Sequence, residues 1–126
     1  EVLKKYPEVK GILGTSSFDA PGTARAIDEL GLKGKVFTAG TGMPAANAQI
    51  LKDGSVSALT LWDPANAGYA MASLATKILR GDTIEDGVNL GVEGYENMHF
   101  SPGSTKVLEG NGWLKITQDN VDSLGF

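Results

Sequence analysis

The stretch "VKGILGTSSFDAPGTARAIDELGLKGKVFTAG", Val9 to Gly40, decides the fold. Its opening, Val9 to Gly14, is a short apolar strand pattern closed by glycine. "TSSFDAPG" is a loop. "PGTARAIDELG" then reads as a helix, with Asp19 as N-cap, Pro21 in the first turn and Gly31 past the end. "KVFTAG" is a second strand. Strand, helix and strand joined by short connections predict a βαβ unit with parallel strands.

The same order continues in both directions. Residues 1–6 read as the last turns of an amphipathic helix, with Val2, Leu3 and Tyr6 on its apolar side, stopped by Pro7. After the second strand, "TGMP" is a loop. "PAANAQILKDG" is a helix entered through Pro44 and closed near Gly54. "SVSALTLW" is a third strand and "PANAGYAMASLATKILRG" a third helix. Ala67, Met71, Leu74 and Ile78 recur at helical spacing and predict one buried face. The order β-α-β-α-β-α predicts an α/β fold, a doubly wound parallel sheet covered by helices on both sides. After Gly81 the pattern changes to Gly-, Asn- and Ser-rich sequence with short strand-like runs, and "ITQDNVDSLGF" closes the chain.

Composition narrows the function classes. With 126 residues, 41% hydrophobic and 21% charged, the chain is the size of one ordinary domain and neither disordered nor membranous. No apolar run approaches the roughly 20 residues of a membrane span. A net charge of −4 and a pI near 4.9 argue against a nucleic-acid partner, which needs a basic face. Cys 0 removes disulfides, thiolate nucleophiles and cysteine zinc sites, and no cofactor or metal is expected. The chain opens at Glu1 inside a helix already under way, so it reads as a fragment of a longer chain.

In open parallel sheets, ligands sit beyond the carboxyl ends of the strands. "TSSFDAPGT", "GTGMP" and "WDPAN" occupy that position. Element order thus groups Ser16, Ser17, Phe18, Asp19, Thr41 and Met43 with Trp62 and Asp63. The group has no sign of catalysis. His99 is the sole histidine and lies in a hairpin-like region; Ser16 and Ser17 have no base nearby and no G-x-S-x-G elbow. "GTGMPAAN" lacks the third glycine of a dinucleotide fingerprint, and "GILGTSS" lacks the ending of a P-loop. Binding suits these residues better. Sugar-like ligands need carboxylates and amides for hydroxyls and an aromatic face for the C–H side of the ring. Trp62 with Asp63 supplies both, as does Phe18 with Asp19, and Ser17, Thr23 and Thr41 add hydroxyls. Each also has a plainer reading: Asp19 and Asp63 as helix caps, Phe18, Trp62 and Trp113 as packing.

Four stretches carry a family resemblance: "YPEVKGILGTSSFDAPGTARAIDELG", "LTLWDPANAGYAMASLATKILRG", "HFSPGS" followed by "EGNGWLKI", and the closing "ITQDNVDSLGF". Together they resemble the carboxyl-terminal part of periplasmic sugar-binding proteins of the ribose-binding type, most of all the autoinducer-2-binding and rhamnose-binding branch. The resemblance implies two α/β lobes joined by three crossing strands, with ligand held in the cleft. In that scheme residues 1–61 are the later part of the second lobe, 62–112 the crossing and return to the first lobe, and 113–126 the closing segment that crosses back. Most of the first lobe would come from a missing amino-terminal half or another copy of the chain.

In autoinducer-2 binders a Pro, and an Ala two residues later, offer backbone contacts to the ligand. Pro21 matches, but Thr23 stands in place of the Ala, which leaves rhamnose or another small polyol open beside autoinducer-2. The ribose-type "DG" after the second strand is replaced by "TAGTGMP". The implied function is the solute-binding component of an ABC importer, not an enzyme. Its partners would be a small sugar-like ligand and a membrane permease. It would be periplasmic or extracytoplasmic, lipid-anchored in a Gram-positive cell. The alternative is the sugar-sensing effector domain of a transcription regulator.

Overall fold

A computed structural model describes residues 1–126. The helices are α1 (Val2–Lys5), α2 (Asp19–Glu29), α3 (Pro44–Lys52) and α4 (Pro64–Leu79). The strands are β1 (Gly11–Leu13), β2 (Phe37–Thr41), β3 (Ala58–Trp62), β4 (His99–Phe100), β5 (Leu108–Glu109) and β6 (Trp113–Ile116). A 3₁₀ turn at Val121–Ser123 follows. The chain divides into two compact units: Glu1–Leu61 with Lys115–Phe126, and Trp62–Leu114.

The first unit is the expected parallel α/β layer. β1 pairs with β2 in parallel, Ile12 opposite Thr38, and β2 with β3, Gly40 opposite Leu59. The sheet order is β1-β2-β3-β6. The first three strands are laid down in sequence order without a reversal. Right-handed crossovers therefore put α2 and α3 on the same face, and these two helices touch.

The register shows which face they cover. Thr38, Leu59 and Leu61 point one way and are buried, against Ala20, Ala24 and Ile27 of α2 and Leu51 of α3. Leu13, Phe37 and Thr60 point the other way and are exposed. Within these residues α2 and α3 cover one face of the sheet. The reason is topological, because a run of crossovers in one direction covers one face only.

Two contacts show how tightly the covered face is built. A Cβ on Gly40 would lie 2.9 Å from the Gly14 carbonyl oxygen, so only glycine lets the β1–α2 loop close over β2. The buried Thr38 hydroxyl donates to the Ile12 carbonyl at 3.1 Å, which satisfies it across the sheet. The closing segment completes this core with Ile116 and Val121, both buried.

In the second unit α4 packs through Ala70 and Leu74 on a small cluster of Leu90, Met98, Val88, Val92, Tyr95 and Leu108. β4 and β5 pair antiparallel, His99 opposite Glu109, and Val88 bridges to Met98. Gly112 admits the Tyr95 ring, since a Cβ there would lie 2.6 Å from its Cζ. The predicted buried face of α4 is corrected. Met71 and Ile78 are 69% and 57% exposed, and Ala70 is the one residue of the helix that is fully buried. The periodicity describes an apolar stripe correctly, but the 88–108 segment packs against the neighbouring stripe.

Candidate functional site

The residues singled out from sequence fall at the carboxyl ends of β2 and β3, on the loops that leave the strands, and in the first turns of α2. Phe18 occupies the N-cap position of α2 and is 83% exposed. Asp19 is the first residue of the helix and does not cap it in the expected sense. A cap at Asp19 would look for the N–H groups two and three residues on. Pro21 has none, and the Gly22 N–H goes to the Phe18 carbonyl at 3.1 Å. The carboxylate turns backward instead: Oδ2 accepts from the N–H groups of Thr15 at 3.0 Å and Ser16 at 2.9 Å. It holds the β1–α2 loop and leaves Oδ1 over.

Asp63 does the opposite. It is the N-cap of α4, and Oδ1 accepts from Ala65 N at 2.7 Å and Asn66 N at 3.2 Å, while Pro64 takes the first helical position. Here Oδ2 is left over. The plainer reading of both aspartates, as loop and helix fasteners, therefore holds for one oxygen of each. The second oxygen of each is available to a hydroxyl group.

In the first unit, Phe18, Asp19 and Thr23 line a groove of about 400 Å³, together with Ile12, Ala26 and Leu30 and the residues of α1. Its lining follows α2 from Phe18 and Asp19 to Leu30, with Glu1 as a second charged residue. Thr41 ends β2, and Met43 is the N-cap of α3 and exposed. Neither of these two lines the groove. Pro21 is half-buried in the first turns of α2.

In the second unit, Trp62 and Trp113 meet edge to face, with ring centroids 5.5 Å apart and planes at 85°. Both stay exposed, at 44% and 57%. Trp113, expected as packing, packs edge to face on Trp62, and the glycine-flanked "GNGW" lets the chain bring a ring close without bulk of its own.

His99 stands apart from these residues in its own polar cluster. Its Nδ1 and Asp86 Oδ2 are 2.9 Å apart, its Nε2 and Asn97 Nδ2 are 2.8 Å apart, and the Phe100 N–H donates to Asp86 Oδ1 at 2.7 Å. The hydrogen bond from His99, then that from Phe100, hold the Asp86 carboxyl below its ordinary pKa. No serine hydroxyl bonds to this ring, so the pair fastens the hairpin.

Residues 1–83 match the family model described as periplasmic binding protein domain, which is well over half the chain. The chain belongs to that family. Among solved structures it is similar to a sugar ABC transporter protein from Actinomyces odontolyticus, with 29% identity and a TM-score of 0.77, over 99% of this chain and 40% of that one. It is similar in fold to LsrB from Clostridium saccharobutylicum in complex with AI-2, with 21% identity and a TM-score of 0.68, over 99% of this chain and 42% of that one. It is similar in fold also to a solute-binding protein from Clostridium phytofermentas with bound L-rhamnose, with 20% identity and a TM-score of 0.67, over 98% and 42%. The chain spans about two fifths of the length of these solved relatives.

Proposed function

We propose that the chain is the carboxyl-terminal part of a solute-binding protein of an ABC importer, holding a small carbohydrate-like ligand without chemistry. One repeated observation carries the reading. Twice an exposed aromatic precedes an aspartate with one oxygen fixed by backbone N–H groups and the other free: Phe18 with Asp19, and Trp62 with Asp63. A carboxylate already oriented by its own loop accepts a hydroxyl hydrogen bond with little further ordering. The neighbouring ring supplies the apolar face that a sugar's C–H groups need. Trp113 enlarges that face at Trp62. In the first unit the ligand candidates are Phe18, Asp19, Pro21 and Thr23 at the start of α2 and Thr41 and Met43 before α3; in the second unit they are Trp62 and Asp63.

Rhamnose and autoinducer-2, the ligands named for two of the solved relatives, are the first to try. The importer reading brings a membrane permease as partner and an extracytoplasmic location. Calorimetry of the full-length polypeptide with L-rhamnose, D-fucose, L-arabinose and autoinducer-2 is the test. Heat of binding with one of them supports the reading. No heat with any overturns it.

The bare sheet face at Leu13 and Phe37, and the bare stripe of α4 at Met71 and Ile78, call for cover. The remainder of the longer polypeptide, or failing that another copy of the chain, provides it. The proposed lobe assignment is residues 1–61 and the closing segment in the second lobe, with 62–112 reaching the first. Light scattering on residues 1–126 alone checks this; a well-behaved monomer contradicts it.

A further inference from the structure

Asn47 is one of only two buried polar residues of the chain, with Thr38. Thr38 ties β2 to β1 and is accounted for by the sheet. Asn47 sits in the first turns of α3, where asparagine is a poor helix former. A buried amide is retained only where its hydrogen bond compensates the lost water.

That bond is to the loop in front of the helix. Nδ2 donates to the Met43 carbonyl at 2.9 Å. The same amide forms the wall against which Gly42 lies: a Cβ on Gly42 would be 3.0 Å from Nδ2 and 3.3 Å from Leu59 Cδ1. One residue further on, Pro44 is buried and has no N–H, and the Ala45 N–H donates to the Phe126 carbonyl at 3.2 Å. Lys52 and Asp122 pair along the same helix, so the closing segment is held to α3 at both ends. The loop is thus gripped at Gly42 by packing, at Met43 by the amide and at Ala45 by the closing segment. By itself its backbone has little to hold it, since the Gly42 N–H reaches the Thr60 carbonyl at 3.4 Å.

We infer that Asn47 is a positioning residue for the loop Thr41–Pro44, fixing its course so that the Thr41 and Met43 side chains are presented from a rigid backbone. The inference rests on the reading of this loop as ligand-facing, but its first readout needs no ligand. Asn47 itself does not have to touch a ligand. Its contribution is order present before binding, which lowers the entropy cost of the bound state.

The test is amide hydrogen exchange on the full-length polypeptide carrying Asn47→Asp. An ionised carboxylate of the same shape cannot donate to Met43, and its burial adds a desolvation cost that the second variant leaves out. The Gly42 and Ala45 amides are expected to exchange about tenfold faster, the effect of one lost hydrogen bond. The Thr38 and Leu59 amides in the sheet should not change. Asn47→Ala removes the donor without adding charge and should behave in the same way. Unchanged exchange at Gly42 and Ala45 in both variants overturns the inference. So does faster exchange throughout the first unit in both, because Asn47 is then a folding residue only. Titration of parent and Asn47→Ala with L-rhamnose and D-fucose gives the second readout. Any sugar that binds should bind about tenfold more weakly to the variant. An unchanged affinity for a sugar that protects the Thr41–Pro44 amides also overturns it. If no sugar protects these amides in the parent, the ligand reading of the loop fails, while the exchange data still decide the role of Asn47.

Discussion

Replacing Asp63 by alanine tests whether the link between β3 and α4 is built as described. Pro64 leaves the first helical position without a donor, so the orphan N–H groups of α4 begin at Ala65 and Asn66. Asp63 Oδ1 takes both. Alanine returns both to water, which costs about 1 kcal/mol for a lost N-cap. It also removes a negative charge from the helix N-terminus, worth roughly 0.3–1 kcal/mol and screened because the side chain is only partly buried. The sum is about 1.5 kcal/mol. With a urea slope of about 1–3 kcal/mol/M, the midpoint falls by roughly 0.5–1.5 M, read by far-ultraviolet circular dichroism. Asp63→Asn keeps an oxygen at the cap and loses only the charge, so it should cost a few tenths of a kcal/mol. In sugar binding the order is different: both variants should lose affinity, since an amide oxygen accepts a hydroxyl less strongly than a carboxylate. Alanine as stable as the parent, or asparagine as damaging as alanine to stability, would refute the capping argument.

Three further outcomes follow from the packing and electrostatics. Thr38→Val keeps shape but drops the hydroxyl bonded to Ile12, and should cost about 1 kcal/mol in a denaturant midpoint. Gly112→Ala forces the Tyr95 ring aside and should destabilise the second unit by about 1–3 kcal/mol, visible as a loss of Tyr95 packing in near-ultraviolet dichroism. The Asp86 carboxyl is held below its ordinary pKa. Its stabilising contribution is therefore complete above the unfolded value, about 4, and is lost as pH falls through the lower folded value. Asp86→Asn should flatten that part of an acid-unfolding curve, while an unchanged curve would show that the His99 pair is decorative.

Much of the first unit was legible because glycine and proline punctuate it. Pro44 opens α3 where the structure opens it, as Pro64 does α4 in the second unit, and the strand-helix order follows the residue pattern closely. The missed points share a physical origin. Met71 and Ile78 form an apolar stripe, but a stripe does not say which segment lies against it, and α4 turns a neighbouring stripe to the 88–108 segment. Asp19 was assigned the right kind of duty in the wrong direction, because the missing N–H of Pro21 makes the backward bonds the better ones. Asp63 shows the reverse, a forward cap where proline sits at the first helical position. The Trp62–Trp113 contact joins residues from distant stretches and left only a glycine-flanked tryptophan as a trace.

The edge-to-face tryptophans also bear on the order of folding. The first unit is discontinuous: its core needs Ile116 and Val121, which are synthesised only after all of residues 62–114. Closing an unstructured loop of that length would cost on the order of 3–4 kcal/mol in chain entropy. Trp62 ends β3 and Trp113 begins β6, and their rings meet with centres 5.5 Å apart, so the contact that closes the loop lies at the start of the strand pairing itself. Any order that residues 62–114 acquire first shortens the loop this pairing must close and lowers its entropy cost.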